Sequence, residues 1–285
     1  MKSASENDAV NTTMRVISLQ SGSNGNCIFV EANDVRLLFD AGLTGDKTEE
    51  RLAEVGINVR SVHSVLISHD HSDHIKGAGV LQRKFALPIW LTRKTCEAAA
   101  VYRKSPVHLE SPRFFKAGES IRFENNVVVA TLPTPHDGVD GVGFIVDDGT
   151  NRFGILTDLG HVFPELKQVF PTLDGVLIES NYDPKMLDAS NKYPEWLKNR
   201  IRGKHGHLSN RDAASLIKNA GSRLQIASVG HLSQENNTPE LAMEPYRAKT
   251  FKRSFPIRIA LRDRCVELWN SEQSTTLPDI GEENL

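Results

Sequence analysis

The chain has 285 residues, 39% hydrophobic and 25% charged, with a formal net charge of −2. That composition is ordinary for a soluble globular protein, no run of about 18 apolar residues is present to cross a membrane, and the near-neutral balance leaves any polyanion to meet local patches. The opening MKSASENDAVNTTM is polar where a signal peptide needs an apolar core, and the isolated Cys27, Cys96 and Cys265 fit a reducing cytoplasm without a disulfide framework.

Apolar runs predict strands over 14–19, 26–32 and 35–42. The turn residues SGSNGN between the first two read as a hairpin turn or as N–H donors for a terminal phosphate. A helix is expected over 45–56, stopped by Gly56, and a buried strand over 64–69. Another strand covers 89–92, with a helix over 93–103. A second β-rich series follows at 120–124, 127–134, 141–148, 152–158 and 174–180. Helices then fill 193–202 and 209–220, and strands over 224–231 and 255–263 close the series. Strand clusters separated by helices predict an α/β fold with two sheets covered by helices. With no linker, low-complexity segment or internal repeat evident, the expectation is one domain over 14–270, a loose tail at 1–13 and a disordered acidic tail at 271–285.

Polar residues fall at the ends of the apolar runs. LISHDHSDHIKG (66–77) places His69, Asp70, His71, Asp73 and His74 directly after a strand. Other strands end near His136, at Asp158 and at His231. Such strands would converge on one rim, and neutral imidazole and carboxylate are ligands for Zn²⁺ or Mn²⁺. His69 and His71, two apart, project to one side and can chelate one ion. Asp73 and His74, one turn further on, point to a neighbouring position, about 3.5–4 Å away in two-metal sites.

His-x-His-x-Asp-His after an apolar strand resembles the signature of the metallo-β-lactamase fold superfamily, and LLFDAG, with Asp40, resembles its preceding motif. The resemblance covers 14–270 and implies a four-layer αββα sandwich. It also implies two divalent ions: His69, His71 and His136 on one, Asp73, His74 and His231 on the other, Asp158 bridging. His136 departs from the pattern, lying in TPHDGV where many superfamily hydrolases carry Gly-His-Ser/Thr. Asp40 is expected to orient a ligand rather than touch metal. His63, His108, His161 and His205 receive no role.

Two further stretches bear on substrate. VLIESNYD ends a strand in Glu179, and GKHGHLSNRDAASLIKNA carries His207 before a capping box, Ser209-x-x-Asp212. An open helix start can cradle phosphate, so Ser209, Asn210 and the neighbouring Lys204 are candidate substrate contacts. Glu179 and His207 resemble the acid–imidazole pair of the ribonuclease Z branch, in which the His protonates the leaving oxygen; Asp73, Glu179 and His207 then form the catalytic set. The plainer alternatives are a capping His and an exposed carboxylate. SGSNGNC, LISHDHSDHIKG, PTPHDG, LTDLG, ESNYD, GHLSN and GHLSQENN, in that order, resemble the YycJ/WalJ family of bacterial cytoplasmic exonucleases. That implies 5′-to-3′ digestion of DNA and no membrane partner; oligomeric state is left open. Lys198, Arg200, Arg202 and Lys204, with seven Lys or Arg between Arg247 and Arg264, read equally as a phosphate path or as solvated charge. A thioester or lactone hydrolase of the same fold would turn over independently of salt, unlike a phosphate binder. A non-enzymatic, metal-stabilised regulatory module would unfold with chelator and show no substrate.

Overall fold

The computed structural model describes residues 13–101, 107–248, 251–253 and 255–273. Most of the two expected tails, the end of the 93–103 helix and Lys249 lie outside them. Among the described residues, β1 (Met14–Gln20), β2 (Cys27–Ala32), β3 (Val35–Phe39), β4 (Ser64–Leu66), β5 (Ile89–Thr92), β6 (Arg113–Phe115) and a late strand, β14 (Val266–Asn270), make one sheet in the order β14-β1-β2-β3-β4-β5-β6. The second sheet holds β7 (Ser120–Arg122), β8 (Val128–Pro133), β9 (Val142–Asp147), β10 (Arg152–Leu156), β11 (Gly175–Glu179), β12 (Ile226–Gly230) and β13 (Ile257–Ile259), in the order β13-β12-β11-β10-β9-β8-β7.

Strand alternation sorts the apolar side chains into three layers of contact. Val35, Leu37 and Phe39 of β3 face inward onto Phe144 of β9 and Phe153 of β10, forming the core between the sheets. Leu38 points the other way, toward α1 (Gly45–Glu54), α3 (Ala78–Phe85) and α4 (Arg93–Val101), through Leu52, Leu81 and Ala99. On the far side, Val176 and Ile178 of β11 pack on α5 (Pro164–Val169), α8 (Asn210–Lys218) and α9 (Pro239–Arg247) through Leu166, Ile217 and Tyr246. Three cores between four layers are the αββα sandwich that the resemblance implied. No helix among the described residues is long and apolar enough to cross a membrane.

Each sheet runs through three antiparallel pairings and then three parallel ones. β3 and β10 hold the same place, where the pairing switches, and each ends in an aspartate and glycine turn: FDAG with Asp40, TDLG with Asp158. Both aspartates are left-handed, at φ 64° and 55°. The internal repeat not evident in the sequence is therefore present as architecture, because two short turns carry it while the flanking residues differ.

The short strands β6 and β14 and the helices α3, α5, α6 (Pro184–Ala189) and α9 escaped the sequence reading. Edge strands of three to five residues give too few alternations to register, and β13 shrinks to Ile257–Ile259 within the expected 255–263. Between α2 (Ser72–Ile75) and α3, Gly77 donates to Ala41 O at 2.8 Å, while Ala41 N donates to His74 O at 2.7 Å. A Cβ on Gly42 would meet Asp73 O at 1.7 Å, so only glycine lets the histidine-rich turn seat against the β3 turn.

The Phe144 ring sits 5.0 Å from Phe39 and 6.3 Å from Phe115 between the sheets. Phe144→Ala should cost about 3–5 kcal/mol of folding stability by urea denaturation; a loss below about 1 kcal/mol would contradict the inter-sheet packing described.

Candidate metal centre

The carboxyl ends of β4, β8, β10 and β12 meet at one rim. His69 follows β4, His71 is the N-cap of α2, and Asp73 and His74 lie within that helix. His136 follows β8, Asp158 follows β10 and His231 follows β12. Asp158 is the hub. Its Oδ2 lies 3.1 Å from His74 Nε2 and 3.0 Å from His231 Nδ1, and its Oδ1 is 3.4 Å from both His136 Nε2 and His207 Nδ1. His136 Nε2 is also 3.3 Å from His71 Nδ1, and Asp73 Oδ2 is 3.5 Å from His74 Nε2. All seven candidates thus gather, including His136, whose sequence context departs from the superfamily pattern.

The donor set fits a divalent cation. Ligand atoms of His69, His71 and His136 lie within 4.8 Å of one another, as do those of His69, His74 and Asp158, and those of Asp73, His74 and His231. His69 Nε2 is buried without a hydrogen-bond partner, and Asp158 Oδ2 and His231 Nδ1, though 3.0 Å apart, are not aligned to bond one another, a costly arrangement unless a cation takes their lone pairs. Outer partners fix the rings: Asp40 Oδ2 stands 2.7 Å from His74 Nδ1, Ser68 Oγ 2.9 Å from His69 Nδ1, and Gly206 O 2.8 Å from His136 Nδ1. Each leaves Nε2 turned inward.

Burial, reinforced by the neighbouring imidazoles, pushes the pKa of His69 well below the usual histidine range and lowers His71, which keeps their lone pairs free. Burial works the other way on Asp73, yet His74 and His231 hold it down to about 2. Asp158 is likewise held well below the carboxylate range, burial being outweighed by His231, His74 and His136. Burial disfavours a charge on His74, but Asp40, Asp158 and Asp73 raise its pKa well above normal. A divalent cation must compete with that proton, so binding is coupled to proton release.

Three of the nine left-handed non-glycine residues among those described lie at this rim: Asp40, Asp158 and His231, at φ 64°, 55° and 55°, at a cost of about 1–3 kcal/mol each. Side chains hold His231 in place from both sides: its N–H donates to Ser21 Oγ at 2.9 Å, and Asn181 Nδ2 donates to its carbonyl at 2.9 Å. Ser68 N donates to Asp40 Oδ1 at 2.7 Å.

Glu179 is fully buried rather than exposed. Its Oε1 is 2.6 Å from His207 Nδ1, and its Oε2 accepts from Leu159 N and Leu208 N. His207 therefore does not cap α8; Ser209 does, accepting from Asp212 N. Ser209 and Asn210 are 3% and 1% exposed, and Asn210 bonds Ser180 and Asn237, so both side chains are engaged within the fold. Lys204 is exposed. Of the remaining expected basic path, Lys198, Arg202, Arg253 and Arg258 donate to groups of the protein itself. The loop 21–26 is the hairpin turn joining β1 to β2.

Two neighbours were not anticipated. Asn26 Nδ2 lies 3.1 Å from His74 Nε2, its amide fixed by Gly22 N and O. Asp137 Oδ1 lies 3.4 Å from His136 Nε2 and 3.5 Å from His71 Nε2, while its Oδ2 accepts from Arg200 Nε at 2.7 Å. The tracts PTPHDG and SGSNGNC were the available signals for Asp137 and Asn26.

Residues 35–228 match the beta-lactamase superfamily domain. The chain is 37% identical over 228 residues to exodeoxyribonuclease WalJ of Streptococcus pneumoniae serotype 2, covering 79% of this chain and 83% of that protein. It is 33% identical to exodeoxyribonuclease YycJ of Bacillus anthracis, covering 79% and 84%. In fold, it superposes on the metallo-beta-lactamase fold protein YhfI from Bacillus subtilis with TM-score 0.68 at 18% identity, covering 90% of this chain and 100% of that one. The chain therefore belongs to the beta-lactamase superfamily, within its WalJ/YycJ group of metal-dependent hydrolases.

Proposed function

We propose that this chain, working as a single domain over 14–270, is a dinuclear phosphodiesterase that digests DNA from an end in the 5′-to-3′ direction. The observation that carries this reading is the Glu179–His207 pair, whose His207 Nδ1 lies 3.4 Å from Asp158 at the centre of the proposed ligands. A proton donor placed there suits a leaving sugar oxygen. The names of the WalJ and YycJ relatives support the nuclease activity.

His69, His71 and His136 would hold one ion, Zn²⁺ or Mn²⁺, and Asp73, His74 and His231 a second, with Asp158 between them; bound there, such ions neutralise phosphate charge and lower the pKa of water toward neutrality. The protein's own contribution is proton supply and orientation. Glu179 fixes Nδ1 of His207, which leaves Nε2 to protonate the departing oxygen. Burial pushes the His207 pKa down, but Glu179 first, then Asp158 and Asp73, raise it to about 9 before any ion is bound. No thiol is activated as a nucleophile: burial raises Cys27 and Cys96, and burial with Glu54 pushes Cys265 up to about 11. Asp40, 4% exposed, steers His74 from behind.

End-labelled single- and double-stranded DNA and RNA, incubated with the metal-loaded protein and sized, should yield short products from DNA 5′ ends, lost with chelator and in His71→Ala. An unaltered DNA pool, or full activity in His71→Ala, would overturn the reading. His207→Ala should lower kcat by about 10²–10⁴-fold at unchanged metal content. Because the protonated ring is the active form, wild-type rate should fall as pH rises through the His207 pKa, and that alkaline limb should disappear in the variant. Asp40→Ala should weaken metal binding by about 10–100-fold by titration calorimetry; unchanged affinity would remove Asp40 from its positioning role.

A further inference from the structure

Trp196 is the most exposed aromatic side chain described, at 68%, and it belongs to none of the three apolar cores. The other tryptophans are used internally: Trp269 is 3% exposed, and Trp90 packs on the inter-sheet core. Trp196 stands in the first turn of α7 (Glu195–Arg202). Asn199 and Arg200, three and four residues on, share its face and are exposed. That face runs directly to the metal centre. Arg200 binds Asp137, which touches His71 and His136, yet the Arg200 side chain remains 55% exposed. The end of the helix is bolted to the proposed proton donor, because His207 N donates to Ile201 O at 2.9 Å. Trp196 to Ile201 is about 7.5 Å along the helix axis at about 1.5 Å per residue.

A bare indole beside an accessible guanidinium and the exposed Lys204 matches one ligand chemistry: a flat π-face next to a phosphate. Resting on the nuclease reading, we propose that Trp196 is a stacking platform for an unpaired base of the strand entering the site, with Arg200 and Lys204 beside the adjoining phosphate. A base inside a duplex is already stacked on both faces, so beyond the terminal pair this platform favours a single strand.

The test uses the metal-loaded full chain and single-stranded oligodeoxynucleotides. Trp196→Ala should raise KM about tenfold, the lower range for loss of one stacked base, while Trp196→Phe should stay within about threefold of wild type. On an oligonucleotide with abasic residues near the labelled end, wild type and Trp196→Ala should converge. Equal KM values on the intact strand, or a difference that persists on the abasic strand, would overturn the platform while leaving the nuclease reading in place. Failure of the wild-type protein to degrade any strand would overturn the nuclease reading, and the platform with it.

Discussion

The constraint on which the site depends is a buried carboxylate that must serve several imidazoles at once. Asp158 is 3% exposed, and four histidine rings approach its two oxygens within 3.4 Å. An isolated anion at that depth would be expensive. It is tolerable because every strand end around it brings a group that can carry positive charge or share a cation. The same demand explains the left-handed backbone at Asp158 and His231: an ordinary strand exit would turn these side chains away from one another, and surrounding hydrogen bonds hold the strained geometry.

The two halves of the molecule solve related problems in different ways. Both switch from antiparallel to parallel pairing at a strand that ends in a left-handed aspartate. In the first half, Asp40 stands behind the cluster and grips His74 and Ser68. In the second, Asp158 stands within it. Likewise β4 is followed by His69 while its counterpart β11 ends in Glu179, which reaches not the hub but His207. One architectural plan thus yields ring members from both halves and, from the second alone, a proton-bearing pair.

Much of this was legible in the sequence because the signals were local. Apolar runs ending in His or Asp marked β4, β10 and β12, and the spacing of His69, His71, Asp73 and His74 marked the turn that carries them. The capping box at Ser209 and Asp212 marked α8. What escaped depended on tertiary approach. Asn26 reaches His74 across 48 residues, and Asp137 matters because Arg200 folds over it. Burial also adds partners that composition does not show: the Asn210 amide ties the α8 start to Asn237. Edge strands such as β6 and β14 are too short to show a period and are defined by their neighbours.

The rim also has a mechanical meaning. His69 and His74 hang from one sheet, while Asp158 and His231 hang from the other, so any cation shared among them is a staple across the open edge of the sandwich. Ligand affinity then becomes cohesion between the layers by mass action, about 2.7 kcal/mol at a hundredfold excess over Kd. Cellular metal supply would set how long the fold survives as well as how fast it works.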